Sequence, residues 1–541
     1  MAPKIYQSMP DSIRDCFTDE HPLGPVAAEH MQEIQESAFL LNPETAAFRG
    51  VMGGASIILG RRGAGKSALL DMLVDRKALR KHLDDFYRGS PAFAALDAGS
   101  ELNKDYFVTI RIDAPTEMSE VDRIIRQIKF PTLEASADAW RKRIIYNIVL
   151  HFLNNKHERA ILPSNLRSLL GKIDSIRRLD AGSFLKVREL VPAIKEAHVN
   201  REELLSIIED SLRKSGKRAL ILVDTMEEYR IRDDAVRDVV SGLLYEISRH
   251  SGNAGAFEIK AALPTEIYRI VHDAGAPGKY AIPTEFIHWM PRTLTEIAAH
   301  RAMCMARWRL PEVFERMCAH FPKSALAIDH KTAVKVLSEL FPDSIVNEVG
   351  NHEDAINVIL RHTLLLPRQI LNFLSIALKA SRSNADSIVT PIELDHALEI
   401  GCGRVISEVH SAYRHVYPDI GSIAPPFLRH CDSVSEYGDL QRAYNHSVKG
   451  RFYHEYVQDF ASFLTAVVDC GLIGVKTKET PRYIEAKFAY NFVGDLNFTA
   501  RDKLVVHPSA RRHYGISTDT QDGKAVLPFG SYLGDAYGDE T

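Results

Sequence analysis

The run Gly60-Arg61-Arg62-Gly63-Ala64-Gly65-Lys66-Ser67 has the residue types and spacing to hold a polyphosphate. It fits G-x-x-x-x-G-K-[ST] at every required position. Glycines let the backbone curl so that successive N–H groups converge on phosphate oxygens. A helix starting near Lys66 adds its positive N-terminal end. The Lys66 ammonium is expected on the β- and γ-phosphates and the Ser67 hydroxyl on Mg²⁺. Residues 60–68, Ala68 included, are therefore the candidate lining for ATP.

Such a cradle needs a second strand ending in an acid beside the metal. Residues 218–223 (RALILV) lead into Asp224, the candidate metal ligand with Ser67. Glu227 and Glu228 follow, where a carboxylate can orient or deprotonate an attacking water; both stay candidates for the catalytic acid. Residues 257–263 (FEIKAAL) form a further strand, after which Thr265 or Arg269 is a candidate γ-phosphate sensor. An ordinary strand-to-helix connection starting at Pro264 is the competing reading. Asp113, ending the strand 106–112, is either a neighbour of the site or a helix cap.

The elements that must place these groups alternate. Strands are predicted at 55–59, 106–112, 218–223 and 257–263, with helical spacing at 27–41, 67–79 and 140–153. Alternation of this kind predicts an α/β domain with a mostly parallel sheet. From about Thr265 to Ser411 the pattern is helical. It then changes to helices at 436–445 and 453–470, followed by strands at 472–476 and 483–492 around Pro481, the order of a winged helix. The predicted division is an N-terminal helical segment (1–50), the phosphate-binding core (51–265), a helical lid (266–415), a winged-helix-like domain (416–515) and a mobile tail (516–541).

Composition bounds the partners. Lys and Arg number 67 against 71 Asp and Glu, a net charge of −4, which excludes a globally basic nucleic-acid coat but not a local patch. Lys449, Arg451, Lys476, Lys478, Arg482, Arg511 and Arg512 are candidates for such a patch, opposed by Glu455, Gln458 and Asp459 on the predicted helix 453–470. DNA contact and protein contact both stay open for this module. The six cysteines are scattered with no CxxC pair, a pattern of reduced thiols. No stretch approaches the ~20 apolar residues of a membrane span. A cytoplasmic protein without membrane contact is expected.

On these motifs the chain resembles the AAA+/STAND-type P-loop ATPases, the group containing origin-recognition-like and bacterial defence-associated ATPases. More narrowly it is similar to a bacterial family with a GRxGxGKSAL loop, here from Gly60 to Leu69, and an upstream G-x-x-x-AE, here Gly24 to Glu29. The resemblance covers about residues 20–515, and only the phosphate loop in it is highly specific. It implies a lid arginine on the γ-phosphate, placed at Arg368 after the Leu364-Leu365-Leu366-Pro367 run, where a solvent-facing arginine is the alternative. It also implies an arginine supplied by a neighbouring subunit, for which Arg230, Arg232, Arg237, Arg292 and Arg301 are candidates. Thr225 stands where many AAA+ proteins have the catalytic Glu, which implies slow hydrolysis. The implied function is a nucleotide-dependent switch that controls homo-oligomer assembly or an effector protein, in bacterial anti-phage defence. A DNA-acting motor gripping DNA by its winged helix and a scaffold with little hydrolysis are the alternatives.

Overall fold

The computed structural model describes residues 22–24, 54–74, 106–128, 132–155, 158–159, 162, 164–176, 190, 194, 201–214, 218–224, 233–250, 256–273, 282–309, 314–315, 329–381, 388–491, 496–516 and 523–529. Glu227, Glu228, Thr225, Arg230, Arg232, the helical pattern at 27–41 and Glu29 lie outside them, as do the side chains of Asp113 and Arg269.

In chain order the first part contains β1 (Ile57–Gly60), α1 (Lys66–Val74), β2 (Tyr106–Asp113), α2 (Ala114–Ile125), α3 (Leu133–Asn154), α4 (Ser164–Ile176), α5 (Arg201–Lys214), β3 (Arg218–Asp224), α6 (Asp233–His250), β4 (Phe257–Pro264), α7 (Thr265–Asp273) and β5 (Thr284–Phe286). The strands form one sheet in the order β2-β3-β4-β1-β5, and every adjacent pair is parallel. Parallel strands covered on both faces read as continuous apolar runs. That is why Ile57, Ile58 and Leu59, and likewise residues 219–223, are buried throughout. Their side chains alternate between two cores. Ile57, Leu59, Ile221 and Val223 pack with Trp140, Val149 and Leu243 from α3 and α6. Ile58, Leu220, Leu222 and Ala262 pack with Leu69, Leu70 and Leu73 from α1. The α3–α6 approach is close: a Cβ at Gly242 would lie 2.2 Å from Ser136 Oγ, and Trp140 Nε1 donates to Val239 O at 2.7 Å.

β5 was not foreseen. It pairs with β1 through Ile57↔Thr284, so the sheet continues to residue 286, beyond the expected boundary at 265. A three-residue strand whose residues are exposed or only half-buried leaves no apolar run to read.

The second part holds α8 (Pro291–Arg309), α9 (His330–Leu340), β6 (Ser344–Val346), β7 (His352–Asp354), α10 (Ala355–Arg361), α11 (Pro367–Ala380) and α12 (Pro391–Tyr413). It is the expected helical lid, with one small antiparallel hairpin, β6–β7, inserted. α12 starts on a complete capping box between Thr390 and Glu393, with Pro391 in the first turn.

The third part contains α13 (Ile420–Leu428), β8 (Val434–Ser435), α14 (Tyr437–Ser447), α15 (Phe460–Asp469), β9 (Ile473–Glu479), β10 (Tyr483–Lys487), β11 (Leu504–Val506), α16 (Pro508–Tyr514) and β12 (Ala525–Leu527). Helix, short strand, two helices and a β9–β10 hairpin follow in winged-helix order. The sheet is larger than that plan requires, β12-β10-β9-β11-β8. α15 is shorter than the expected helix over 453–470. Asp459 caps it by accepting from the Ser462 amide, and residues 455–457 form a separate 3-10 turn. Phe460, Phe463, Leu464, Val467 and Val468 are all buried, the stripe that the spacing predicts. The segment beyond 515, expected to be mobile, returns as β12, parallel to β10, with Ala525, Val526 and Leu527 fully buried.

One continuous core joins α1 of the first part to the lid and the third part, running from Leu69 through Leu371 to Phe463.

Candidate phosphate and metal site

The site is built where strand ends meet. Gly60 pairs with Pro264, and Asp113 with Asp224, so β1, β3 and β4 finish at one edge. The loop 61–65 turns there into α1. Gly63 and Gly65 both have φ +87, left-handed values that L side chains rarely adopt. The loop is held from outside: Trp289 Nε1 donates to Ala64 O at 2.8 Å. Lys66 is buried, and its ammonium donates to Gly60 O at 2.9 Å and Arg61 O at 3.0 Å. The ammonium therefore lies within the loop that it is expected to serve.

Ser67 Oγ donates to Asp224 Oδ1 at 3.0 Å. Asp224 is 1% exposed at the end of a wholly apolar strand. The structure brings Ser67 and Asp224 together and keeps the Lys66 ammonium within the loop. Two hard oxygen donors side by side at a helix N-terminus fit Mg²⁺, which takes few protein ligands and completes its octahedron with phosphate and water. Arg111 was missed. Its guanidinium donates to Asp224 Oδ2 at 2.7 Å and also pairs with Asp71 on α1. A signal for it did exist. Val108, Ile110 and Ile112 take the apolar phase of β2, which puts Arg111 on the opposite face, toward α1.

Thr265 stands immediately after β4, the strand between β1 and β3, and its Oγ1 is buried with no hydrogen-bond partner among the described residues. A buried unpaired hydroxyl costs free energy unless something bonds it. Of the two sensor candidates, this residue has an observation in its favour.

The lid reaches the loop. Pro367 occupies the first turn of α11, and Gln369 Oε1 accepts from the Leu364 amide at 2.7 Å, fixing the entry. Leu365 adopts φ 53, an unusual conformation for a residue with a Cβ, at the bend that aims the next residues. Arg368 then lies against Gly63: a Cβ there would be 3.2 Å from Arg368 Cβ. It thus lies beside the loop, at the start of a lid helix.

The arginines beside the motif lysine do something that no motif indicates. Arg61 is buried, and its guanidinium donates to Asp469 O, at the end of α15, at 3.1 Å. It sits over the rings of Tyr413 (5.7 Å) and Tyr490 (5.4 Å). Arg62 donates to Ser411 Oγ at 3.3 Å. Both are candidates for the nucleotide lining as members of the loop; their side chains contact the third part and α12.

Other candidates are not brought to the site in this chain. Arg301 is buried in α8, and burial lowers its pKa to about 10. That burial removes it as an arginine offered to a neighbouring subunit. Arg292 pairs with Glu296 at 3.1 Å, and Arg237 is exposed on α6. In the third part, Arg511 is buried against Glu348 (3.2 Å) and Ser433 (3.0 Å). Arg512 pairs with Asp395 and Glu399, and Lys476 with Glu479. Arg511 is thus a buried structural cation, while Arg512 and Lys476 are held in surface ion pairs. Lys449, Arg451, Lys478 and Arg482 are exposed.

Parallel order, glycine loop and strand-end aspartate decide the architecture. The fold is that of a P-loop NTPase, followed by a helical lid and a winged-helix-like domain. No family model matches the chain. Its sequence is 22% identical over 512 residues to a transposon gamma-delta 80.3 kDa protein of Escherichia coli (strain K12), covering 90% of this chain and 66% of that protein. The chain thus spans just under two thirds of that relative's length. Among solved structures, the Aeropyrum pernix ORC2 protein in its ADPNP–ADP complexes aligns over 86% of this chain and 87% of that one, at 12% identity and TM-score 0.35. The Aeropyrum pernix ORC1 protein in complex with DNA aligns over 93% and 96%, at 12% identity and TM-score 0.28. Likeness this slight carries no argument about ligands. Among the described residues, no helix is long and apolar enough to cross a membrane.

Proposed function

We propose that this chain is an AAA+-like, ATP-binding and hydrolysing switch in which the phosphate loop commands the lid and the winged-helix-like domain. The observation that carries the reading is Arg61: a residue inside the loop whose side chain is buried in the third part, bonded to Asp469 O at 3.1 Å. A loop that only bound nucleotide would have no need of that contact.

The residues divide the work. The loop amides and the N-terminus of α1 hold the phosphates. Lys66 leaves the carbonyls of Gly60 and Arg61 to meet the β- and γ-phosphates. Ser67 and Asp224 hold Mg²⁺, which when bound screens the phosphate charge. Thr265 Oγ1 and Arg368 address the γ-phosphate, so they distinguish ATP from ADP. Glu227 or Glu228 orients the attacking water. Because Arg368 starts a lid helix and Arg61 ends in the third part, loss of the γ-phosphate changes what both parts are held against. The output is homo-oligomer assembly or control of an effector protein; a setting in bacterial anti-phage defence rests on the sequence resemblance alone.

The test is calorimetric and hydrodynamic. Wild-type protein should bind Mg-ATP and Mg-ADP, and its mass or radius should differ between the two. Identical hydrodynamics in ATP, ADP and no nucleotide, with binding intact, would sink the switch and leave the nucleotide-dependent scaffold.

A second reading is DNA contact by the winged-helix-like domain. It is favoured by the outward face of α15, where Ala461, Ser462 and Thr465 are exposed, small and uncharged. Exposed Lys449, Arg451, Lys478 and Arg482 supply phosphate contacts elsewhere in the same domain. The relative's transposon name is compatible with it. Binding should fall steeply with salt, and neutralising Lys478 and Arg482 together should flatten that slope by about two charges. No gel shift at low salt would remove it.

A further inference from the structure

We propose that Arg111 is the resident counter-ion of the metal site, and that Mg²⁺ must take Asp224 from it, which makes metal entry conditional on nucleotide. The proposal rests on the nucleotide-binding reading above. Asp224 has two carboxylate oxygens, and both are engaged: Oδ1 by Ser67 at 3.0 Å and Oδ2 by Arg111 at 2.7 Å. The Asp224 side chain is 2% exposed, so its charge is expensive without a cation nearby. Asp71, one turn after Ser67 on α1, presents a second carboxylate to the same guanidinium, and its side chain is 15% exposed. Arg111 bridges the two acids with the fork geometry that suits an arginine.

A cation placed there has two effects on an incoming dication. It occupies an oxygen of the carboxylate that Mg²⁺ needs, and it repels Mg²⁺ at short range. Mg²⁺ alone has little to gain, because among the described residues the site offers it the Ser67 hydroxyl and a carboxylate shared with Arg111. Mg²⁺ arriving with a polyphosphate brings its own oxygen ligands and negative charge, and the balance reverses. Arg111 has room to yield: its side chain is 38% exposed on the sheet edge, and Asp71 lies within its reach on that side. It is a positioning residue and not a catalytic one, because it acts through Asp224.

The experiment compares wild type with Arg111→Gln and Arg111→Lys, using MgCl₂ alone, ADP alone and ADP with a MgCl₂ titration. In the folded glutamine variant the Mg²⁺ midpoint for ADP binding should fall about tenfold, as expected from removing one charge a few ångströms from a dication near the surface. Mg²⁺ without nucleotide should raise its Tm by a few degrees and leave the wild-type Tm unmoved. Arg111→Lys keeps the charge and should hold the wild-type midpoint within about threefold. If the glutamine variant does not fold, Arg111→Met, which keeps the aliphatic stem, carries the same test. A residue that merely tied α1 to the sheet would lower Tm in EDTA without moving the midpoint. An unchanged or raised midpoint in a folded neutral variant overturns the proposal while leaving nucleotide binding intact. A wild type that binds no Mg-nucleotide overturns both.

Discussion

Lys66 donates inward to two carbonyls of its own loop, the turn that the motif assigns to phosphate. Lys66→Ala should therefore abolish or strongly weaken Mg-ATP binding, since the mobile cation on the β- and γ-phosphates is gone. Unchanged affinity in calorimetry, with the fold intact by circular dichroism, would count against the site. Arg368→Ala is more selective. The side chain lies beside Gly63, at the start of a lid helix, so ADP affinity should be nearly unchanged while ATP turnover falls. Equal loss for both nucleotides would make Arg368 a packing residue. At this scale the sequence was readable where a residue's partner is named by the motif itself: Lys66, Ser67 and Asp224. Arg61 was not readable, and Arg111 only as to its face of the sheet, for a physical reason. Arg61 occupies a position the motif leaves open, and its hydrogen-bond partner is 408 residues away. Arg111 sits on a strand whose order in the sheet sequence periodicity does not fix.

At the scale of elements, the junction between α10, the β6–β7 hairpin and α16 is a buried polar cluster. Arg361 is fully buried, bonded to Glu353 at 3.1 Å and to Glu348 at 2.7 Å. Burial would raise the Glu348 carboxyl, but Arg361 and Arg511 win and hold it well below the usual carboxylate range. His362 and His507 lie in the same cluster. Burial first, then the Arg361 cation, lowers His362 to about 3; burial, then His362, lowers His507 to about 3. The sign follows. Both histidines take up a proton near the ordinary 6.5 when unfolded but not when folded, so the unfolded state binds more protons between pH 6.5 and 3. Stability is present in full above pH 6.5 and lost as pH falls toward 3. Urea midpoints should drop between pH 7 and pH 5, and the slope should shrink by up to about 1.4 kcal/mol per pH unit in His507→Asn. That variant keeps an acceptor for the Ser509 amide, as His507 Nδ1 is at 3.2 Å. An unaltered slope would mean that His507 charges within the folded state. Helix α11 was legible from its Leu run and proline. β11 and β12 were not, because strands of three residues gain their identity from neighbours and not from alternation.

At the scale of the molecule, the phosphate loop and the C-terminal domain share a contact that either can disturb. The Arg61 guanidinium is bonded to Asp469 O and lies over Tyr413 and Tyr490, and Tyr413 Oη donates to the same carbonyl at 2.7 Å. Tyr490 continues the contact inward: its Oη lies 2.7 Å from His507 Nε2, and Ser509 Oγ bonds His362 O. A chain of polar contacts thus joins the loop to the lid. Coupling of this kind is reciprocal, so whatever phosphate does to the docking, the docking does to phosphate affinity. Arg61→Ala removes one part-buried hydrogen bond and two cation–π contacts, worth roughly 2–4 kcal/mol together. Its side chain faces away from the cradle, so Mg-ADP should still bind. What should disappear is the difference between ATP and ADP in protease sensitivity of the third part. Gly471→Ala strikes the same junction from the other side. Gly471 has φ +77, and an added Cβ would lie 3.0 Å from Tyr490 Cδ1 and 3.4 Å from an Arg61 nitrogen. The two substitutions should be non-additive in stability by about 1 kcal/mol or more, because each removes a contact that the other has already lost. Additive losses, with the nucleotide-dependent cleavage pattern retained in both, would mean that Arg61 fastens the domains together and transmits nothing.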